Sequence, residues 1–213
     1  MKLLAIDPGT SCGYAIAEMS GDKVNVFEYG IIDIPDDIVF GKKSIFLMNR
    51  IKQICQNNKI EHVGIEDYFA SSRFASGTDV NYYYRGAIQI QSTLDGIPYT
   101  MLNISQWKGY VAKRSTPTKE QKKLYGNAPS KKIFIQQALW ERFKIRFPNH
   151  TVSEKTGKPI VFRYDVVDAV GQVIYLAHLL GEIKEISCSV KTAEDVVFKK
   201  TSKKLFAYPP ALV

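Results

Sequence analysis

The first seventeen residues, MKLLAIDPGTSCGYAIA, constrain the fold more than any other part of the chain. Residues 2–6 form a short apolar run typical of a buried strand, and Asp7 follows it at a Pro-Gly-Thr turn. A second apolar run begins after Gly13, so we predict a hairpin whose first strand ends in a carboxylate. Burying an ionised acid without a partner is costly. Asp7 should therefore either cap the amides of the turn or face a cation.

Length and composition indicate one globular domain. The chain has 213 residues, of which 45% are hydrophobic, enough for a sizeable core. No run approaches the roughly 18 apolar residues of a membrane span, and the first apolar run is too short for a signal peptide. The three cysteines are widely spaced and odd in number, which predicts reduced thiols in the cytoplasm. The three histidines show no zinc-ligand spacing.

Positive charge is concentrated in one segment of the chain. The formal net charge is +8, yet residues 1–104 are net −3, residues 105–147 are net +9 and residues 148–213 are net +2. The basic segment is interleaved with Trp107, Tyr110, Tyr125 and Trp140. Such a segment would attract a phosphate backbone, which predicts a nucleic-acid partner. A solvated face of lysines and arginines is the alternative.

Hydrophobic periodicity predicts alternating strands and helices, with no internal repeat. We expect strands at residues 2–6, 14–17, 23–34, 61–69 and 99–104, and helices at 42–58, 79–94, 106–112, 130–147 and 165–180. Thr78 or Asp79, Ser105 and Ser130 are the expected N-caps of three of these helices. Residues 71–78, 113–129 and 148–162 are predicted loops, and the basic final segment is either a small strand pair or a flexible tail.

Four acids occupy positions where they could meet. Glu66 ends an apolar strand as Asp7 does, and Asp165 and Asp168 lie three residues apart on one face of an apolar helix. Acids in the first turn of a helix also complement its dipole, so a purely structural role for the last two is possible. Four converging carboxylates would repel one another unless divalent cations lay between them. Oxygen ligands suit Mg²⁺ or Mn²⁺, and two such ions can hydrolyse a phosphodiester.

These acids and their surroundings resemble the RuvC-type Holliday junction resolvases of the ribonuclease H-like superfamily. The resemblance rests on IDPGTSCGYAI around Asp7, IEDYF around Glu66 and YDVVDAVGQVIYLA around Asp165 and Asp168. YYYRGAI is similar to the Arg-Gly of the family's following helix, and SQWK resembles its lysine-bearing segment. The match runs from residue 1 to about residue 180, and the order of the four acids makes it specific.

The resemblance implies an α/β, ribonuclease H-like fold with a five-stranded mixed sheet, three strands antiparallel and two parallel, flanked by helices. It implies a nuclease domain at residues 1–182, followed by a basic C-terminal extension at 183–213. It also implies a homodimer that cuts four-way DNA junctions by paired nicks, with two Mg²⁺ ions per site, replaceable by Mn²⁺. Each nick would leave a 5′-phosphate and a 3′-hydroxyl.

The resemblance also assigns roles by position. Asp7, Glu66, Asp165 and Asp168 would be the metal ligands and catalytic residues. Lys108 would hold the scissile phosphate, and Lys131, or else Lys132, would be the second catalytic lysine. The expected DNA-binding residues are Phe69, Arg85, Lys108, Lys113, Arg114, Lys131 and Lys132. Phe69 matches the aromatic that unstacks bases at the junction centre, although a buried strand-end phenylalanine has a structural explanation as well.

The chain departs from the family pattern in three places. Residues 114–126 resemble an insertion between the two lysine segments, the segment after Glu182 adds six lysines, and the loop after Glu66 carries no recognisable cleavage-sequence determinant. These departures suit a phage or viral branch that acts in the host cytoplasm on several branched DNAs.

Other classes fit the sequence less well. A ribonuclease H acting on RNA in hybrids would share the fold and the metals. A non-catalytic branched-DNA-binding module would not need all four acids. Sugar kinases, actin and chaperone ATPases share an Asp-x-Gly-Thr loop but need a second such domain, for which 213 residues leave little room.

Overall fold

A computed structural model describes residues 1–9, 11–67, 75–148, 151–152, 159–190 and 198–200 of the chain. None of the helices in these ranges combines the length and apolar character needed to cross a lipid bilayer.

The core of the fold is a mixed sheet with strand order β5-β4-β1-β2-β3-β8. Its strands are β1 (Lys2–Asp7), β2 (Ser11–Ser20), β3 (Lys23–Asp33), β4 (His62–Asp67), β5 (Tyr99–Asn103) and β8 (Glu185–Cys188). The first three pair antiparallel, while β4 and β5 add in parallel beside β1. The predicted α/β class and its mixed, helix-flanked sheet are therefore confirmed.

The predicted number of strands is wrong, because the main sheet has six strands rather than five. The sixth, β8, pairs in parallel with the start of β3, so that Lys23 lies opposite Glu185 and Val26 opposite Cys188. An edge strand presents unpaired backbone groups, and β8 supplies partners for them. An exposed ion pair between Lys23 and Glu185, at 2.6 Å, joins the two strands at one end of this pairing.

Helices cover both faces of the sheet. They are α1 (Phe40–Asn58), α2 (Ala75–Leu94), α3 (Ile104–Ala112), α4 (Lys119–Tyr125), α5 (Asn127–Phe143) and α6 (Asp165–Leu180). Side chains alternate across a strand, and β1 directs Leu3 and Ala5 to one face and Leu4 and Ile6 to the other. The first face packs against α3, α5 and α6, and the second against α1 and α2.

Helix α6 is the most deeply buried helix, since every residue from Val166 to Ala177 is buried. Two glycines allow its close packing. A Cβ on Gly13 of β2 would lie 2.2 Å from the carbonyl oxygen of Asp165, and a Cβ on Gly171 would lie 2.9 Å from the Trp107 ring. The backbone at the start of α6 can therefore contact the backbone of β2 directly, and only because residue 13 has no side chain.

The segment predicted as a loop at residues 113–129 is largely helical. Thr118 and Gln121 form a capping box that starts α4, and Gly126, at φ 80°, separates α4 from α5. The expected cap Ser130 therefore lies inside α5, which ends at Phe143 rather than at residue 147.

Other predicted boundaries also shift. Helix α2 begins at Ala75, before Thr78 or Asp79, and α3 is capped by Asn103 rather than Ser105, since Asn103 accepts from two backbone amides. The predicted loop 148–162 contains β6 (Thr151–Val152) and β7 (Pro159–Phe162). These form a second sheet, β6-β7-β9, with β9 (Phe198–Lys200).

Candidate active site

The parallel pairing of β1 and β4 brings two of the acids together. Ile6 lies opposite Ile65 in the register, so Asp7 and Glu66 are the next residues on neighbouring strands. Because the carboxyl ends of parallel strands meet at one edge of a sheet, both carboxylates reach the same end of the core. Glu66 is buried, and Asp7 is mostly so.

Helix α6 supplies the other two acids at its first turn. Asp165 is its first residue, with 35% of its side chain exposed, whereas the Asp168 side chain is only 5% exposed. Arg163, just before the helix, pairs with Asp33 at 2.6 Å and donates to Ser11 Oγ. Together with the contact at Gly13, these bonds tie the start of α6 to β2 and β3.

Two buried donors fix the orientation of Glu66. Trp107 Nε1 donates to Glu66 Oε2 at 3.0 Å, and Gln172 Nε2 donates to the same oxygen at 2.6 Å. Trp107 belongs to α3 and Gln172 to α6, so two helices hold one carboxylate. Glu66 Oε1 receives neither of these bonds.

Among the described residues, Lys132 is the cation that forms ion pairs with these acids. Its Nζ donates to Asp168 Oδ2 and lies 3.8 Å from both Asp7 Oδ2 and Asp165 Oδ1. Lys132 comes from α5, which packs beside α6. The ammonium group therefore lies among three of the four carboxylates.

Burial and mutual repulsion alter the protonation of this cluster. Burial raises the pKa of Asp7 well above its usual value, and the charges of Glu66, Asp168 and Asp165 raise it further, against the opposite effect of Lys132. The pKa of Glu66 is also raised, first by burial and then by Asp168. Burial alone would lower the pKa of Lys132, but the neighbouring carboxylates raise it above its ordinary value.

The donor set of the cluster suits a hard divalent cation. All four acids offer only oxygen ligands, and in the described part of the chain Asp168 Oδ1 is buried without a hydrogen-bond partner. Among the described residues no three Asp, Glu, His or Cys side chains are already grouped as a metal-binding set. The Lys132 ammonium group lies among three of these carboxylates and balances part of their charge.

A cleft of about 260 Å³ opens beside the acids. It is lined by Asp7, Pro8, Glu66, Asn81, Tyr82, Arg85, Ile104, Lys108, Lys131, Lys132 and Asp168. Lys108 Nζ lies 5.0 Å from the centre of the Trp107 ring, and Arg85 pairs with Asp67 at 2.6 Å. Carboxylates thus lie beside a cleft with basic walls.

Two of the predicted DNA-binding residues lie away from the cleft. Lys113 and Arg114 are exposed at the C-terminal end of α3 and do not line the cleft, and Arg114 donates to Gln121 at 3.2 Å. Phe69 falls outside the described residues. Of the two candidate lysines, both line the cleft, but Lys132 rather than Lys131 reaches the carboxylates.

Several residues of this site were not predicted from the sequence. Trp107 and Gln172 orient Glu66, and Asn81 lines the cleft. A signal for Gln172 was present, because it follows Asp168 by four residues on an otherwise apolar helix and so extends the acidic face. Nothing in the sequence distinguishes the side-chain bond of Trp107 from ordinary core packing.

A family model and two relatives that match this chain all carry the same name. The family model described as crossover junction endodeoxyribonuclease RuvC matches residues 3–126. The RuvC of Aliarcobacter butzleri is 33% identical over 123 residues, covering 57% of this chain and 78% of the relative. The RuvC of Campylobacter concisus is 33% identical over 156 residues, covering 65% of this chain and 92% of the relative.

A solved structure shares the fold at lower identity. Thermus thermophilus RuvC in complex with a Holliday junction substrate superimposes with a TM-score of 0.57 at 15% sequence identity, covering 86% of this chain and 99% of that one. The matching family model spans more than half of the chain. The chain therefore belongs to the RuvC family of crossover junction endodeoxyribonucleases, whose catalysis depends on divalent metal.

Proposed function

We propose that this protein is a structure-specific endonuclease that resolves four-way DNA junctions by paired nicks and also cuts other branched DNA. The observation that carries the proposal is the convergence of acids from β1, β4 and α6 beside a cleft lined by Lys108, Lys131 and Arg85. Membership of the RuvC family supports the same activity.

Asp7, Glu66, Asp165 and Asp168 would hold two Mg²⁺ ions, for which Mn²⁺ can substitute. When bound, such ions supply an activated water and neutralise the leaving oxygen, here leaving a 5′-phosphate and a 3′-hydroxyl. Trp107 and Gln172 keep one oxygen of Glu66 engaged, so its carboxylate cannot rotate freely.

The basic residues of the cleft would bind and position the DNA. Lys108 would hold the scissile phosphate, and Lys131, which also lines the cleft, would bind a neighbouring phosphate. Lys132, whose Nζ pairs with Asp168, would also offer a positive charge to a phosphate lying beside the carboxylates. Arg85 is fixed by Asp67 at the rim of the cleft.

The working unit would be a homodimer. A four-way junction has two-fold symmetry, so two identical sites related by a two-fold axis can nick opposed strands. Light scattering in solution tests the mass of the unit. A cruciform plasmid, in which paired nicks linearise the DNA within one encounter, tests whether the two sites act together.

The decisive experiment is cleavage of an end-labelled four-way junction and a matched linear duplex, with Mg²⁺ or EDTA. We expect symmetric nicks in the junction only, dependent on metal and lost in Asp7→Asn. Asp22→Asn is the matched control, since Asp22 lies in the β2–β3 turn at the opposite end of the sheet. Y-forks and flaps in the same assay measure the breadth of substrates. Cleavage by Asp7→Asn at the wild-type rate would overturn the proposal.

A further inference from the structure

A second basic surface lies at the far ends of the helices that line the cleft. We name it the distal basic patch and define it as Lys113, Trp140, Arg142, Lys144 and Arg146. The four cations are exposed, and Trp140 is half-buried between two of them. The Arg146 guanidinium lies 4.2 Å from the centre of the Trp140 ring, and Lys144 Nζ lies 5.5 Å from it.

The direction of α3 and α5 places the patch relative to the active site. The N-terminal parts of both helices line the cleft, through Ile104 in α3 and Lys132 in α5. Their C-terminal ends meet at the patch, where Arg142 donates to the carbonyl oxygens of Tyr110 and Val111. One pair of helices therefore connects the two basic surfaces.

Helix α6 gives an approximate distance between them. It begins in the active site at Asp165, and near its other end His178 stacks on Tyr110 at 4.2 Å. Tyr110 is also the ring beneath Arg142, at 5.6 Å. Thirteen residues of α-helix separate Asp165 from His178, which corresponds to about 20 Å. A DNA duplex covers that length in about six base pairs.

The patch is held rigidly. After α5 ends, Ile145 and Phe147 are buried, and the Phe147 ring packs against Tyr29 at 5.7 Å. Lys144 and Arg146 alternate with these anchors and are exposed. Cations on an anchored backbone lose little conformational freedom when they bind a ligand.

Intramolecular roles account for only part of this charge. Arg142 caps α3, and Lys144 donates to the carbonyl oxygen of Glu141, as cations at helix ends often do. Within the described part of the chain, however, no carboxylate pairs with Lys113, Arg142, Lys144 or Arg146. Four positive charges thus remain available to an anion that the described part of the protein does not supply.

We propose that the distal basic patch binds the phosphate backbone of a duplex arm of the junction, about six base pairs from the strand being cut. The proposal rests on the proposed function, because it takes the active site as the position of the cut. A contact at this distance requires an arm of continuous duplex. It would therefore set the direction in which the arm leaves the active site, independently of base sequence.

The test measures binding of a four-way junction in EDTA by fluorescence anisotropy, so that no cleavage is needed. The double variant Lys144→Gln/Arg146→Gln is compared with Arg50→Gln/Lys52→Gln, which removes the same two charges from the exposed side of α1 across the sheet. We expect the patch variant to bind about tenfold more weakly, with a salt slope lower by about 2, and the control variant to bind like wild type.

A modified junction tests the position of the contact. Neutral methylphosphonates replace the phosphates about four to eight base pairs from the cut. Wild type should then lose about tenfold in affinity. The patch variant should lose no more than twofold, because it already lacks the two cations that would contact these phosphates. Additive losses, or equal binding by the patch variant and wild type, would overturn the proposal.

The same proteins are assayed for metal-dependent cleavage of the unmodified junction. If wild type binds and cuts the junction and the patch variant matches it in both, the patch proposal alone fails. If wild type neither binds nor cuts the junction, the proposed function fails and the patch proposal fails with it. Thermal melts of both double variants verify that they remain folded.

Discussion

Lys132 and Asp168 form a direct ion pair at the base of the cleft, in which Lys132 Nζ donates to Asp168 Oδ2. The same nitrogen is 3.8 Å from Asp7 and from Asp165. One side chain thus balances charge on three carboxylates, and removing it leaves them without a counter-ion until a divalent cation binds.

We therefore expect Lys132→Ala to lower the free energy of unfolding by about 2 kcal/mol in EDTA, a value below that of a fully buried pair because the Lys132 side chain is 32% exposed. Added Mg²⁺ should stabilise this variant more than wild type, since the ion no longer competes with an ammonium group. Urea unfolding with and without Mg²⁺ measures both effects. Lys131→Ala is the control and should change stability by less than about 0.5 kcal/mol.

Gln172→Leu removes a donor from Glu66 while nearly preserving the volume of the side chain. Loss of such an outer partner should reduce the cleavage rate about 10- to 100-fold and leave junction affinity unchanged. Single-turnover rates and anisotropy separate the two quantities. Gln91→Leu is the matched control, because Gln91 is also buried but bonds to Asp95 at 2.8 Å, and this variant should cut at the wild-type rate.

Gly13→Ala should disturb the start of α6, because Gly13 lies on the part of β2 that packs against it. Its Cβ would lie 2.2 Å from the Asp165 carbonyl oxygen, so α6 or β2 must shift. We expect a loss of about 2–3 kcal/mol in stability and a slower nick, since Asp165 moves with the helix backbone. Gly41→Ala, on α1 with open space around residue 41, should be neutral or slightly stabilising. Equal unfolding midpoints for the two variants would contradict the predicted contact.

Cys55 makes stability sensitive to alkaline pH. Burial, and then the charge of Asp95, raises the pKa of its thiol from 9.0 to about 12. Between these values the folded protein keeps a proton that the unfolded chain releases, so stability is lost as pH rises above 9. From pH 8 to pH 10, wild type should lose about 1.4 kcal/mol more than Cys55→Ala. Denaturant unfolding at the two pH values measures this difference, and identical losses would exclude the effect.

The positions of the acids were predictable because strand and helix periodicities are strong local signals. Asp7 and Glu66 each end an apolar run, and Asp165 and Asp168 share one helical face whatever the tertiary structure does. Their roles as metal ligands remain a prediction. The choice between Lys131 and Lys132 could not be made from the sequence, since adjacent helical residues point about 100° apart and only the packing of α5 decides which reaches the acids.

The errors in the predicted fold also have local causes. Pro117 and Gly126 suggested an unbroken loop, yet the T-x-x-Q capping box at Thr118 starts a helix between them. The sixth strand, Glu185–Cys188, is four residues long and alternates too briefly to be recognised without its partner β3. The proposed boundary between the nuclease domain and the C-terminal extension, at residue 182, also remains a prediction.

The pairing of β8 with β3 limits where this chain can be truncated without exposing an edge of the sheet. β8 supplies backbone partners to residues 23–26, at the outer edge of the antiparallel strands. A chain shortened at the proposed boundary would leave that edge open, and open edges recruit strands from other molecules. Aggregation of such a fragment would then reflect a missing strand rather than a misfolded catalytic core. The shortest fragment expressed as a soluble nuclease should therefore extend through Cys188.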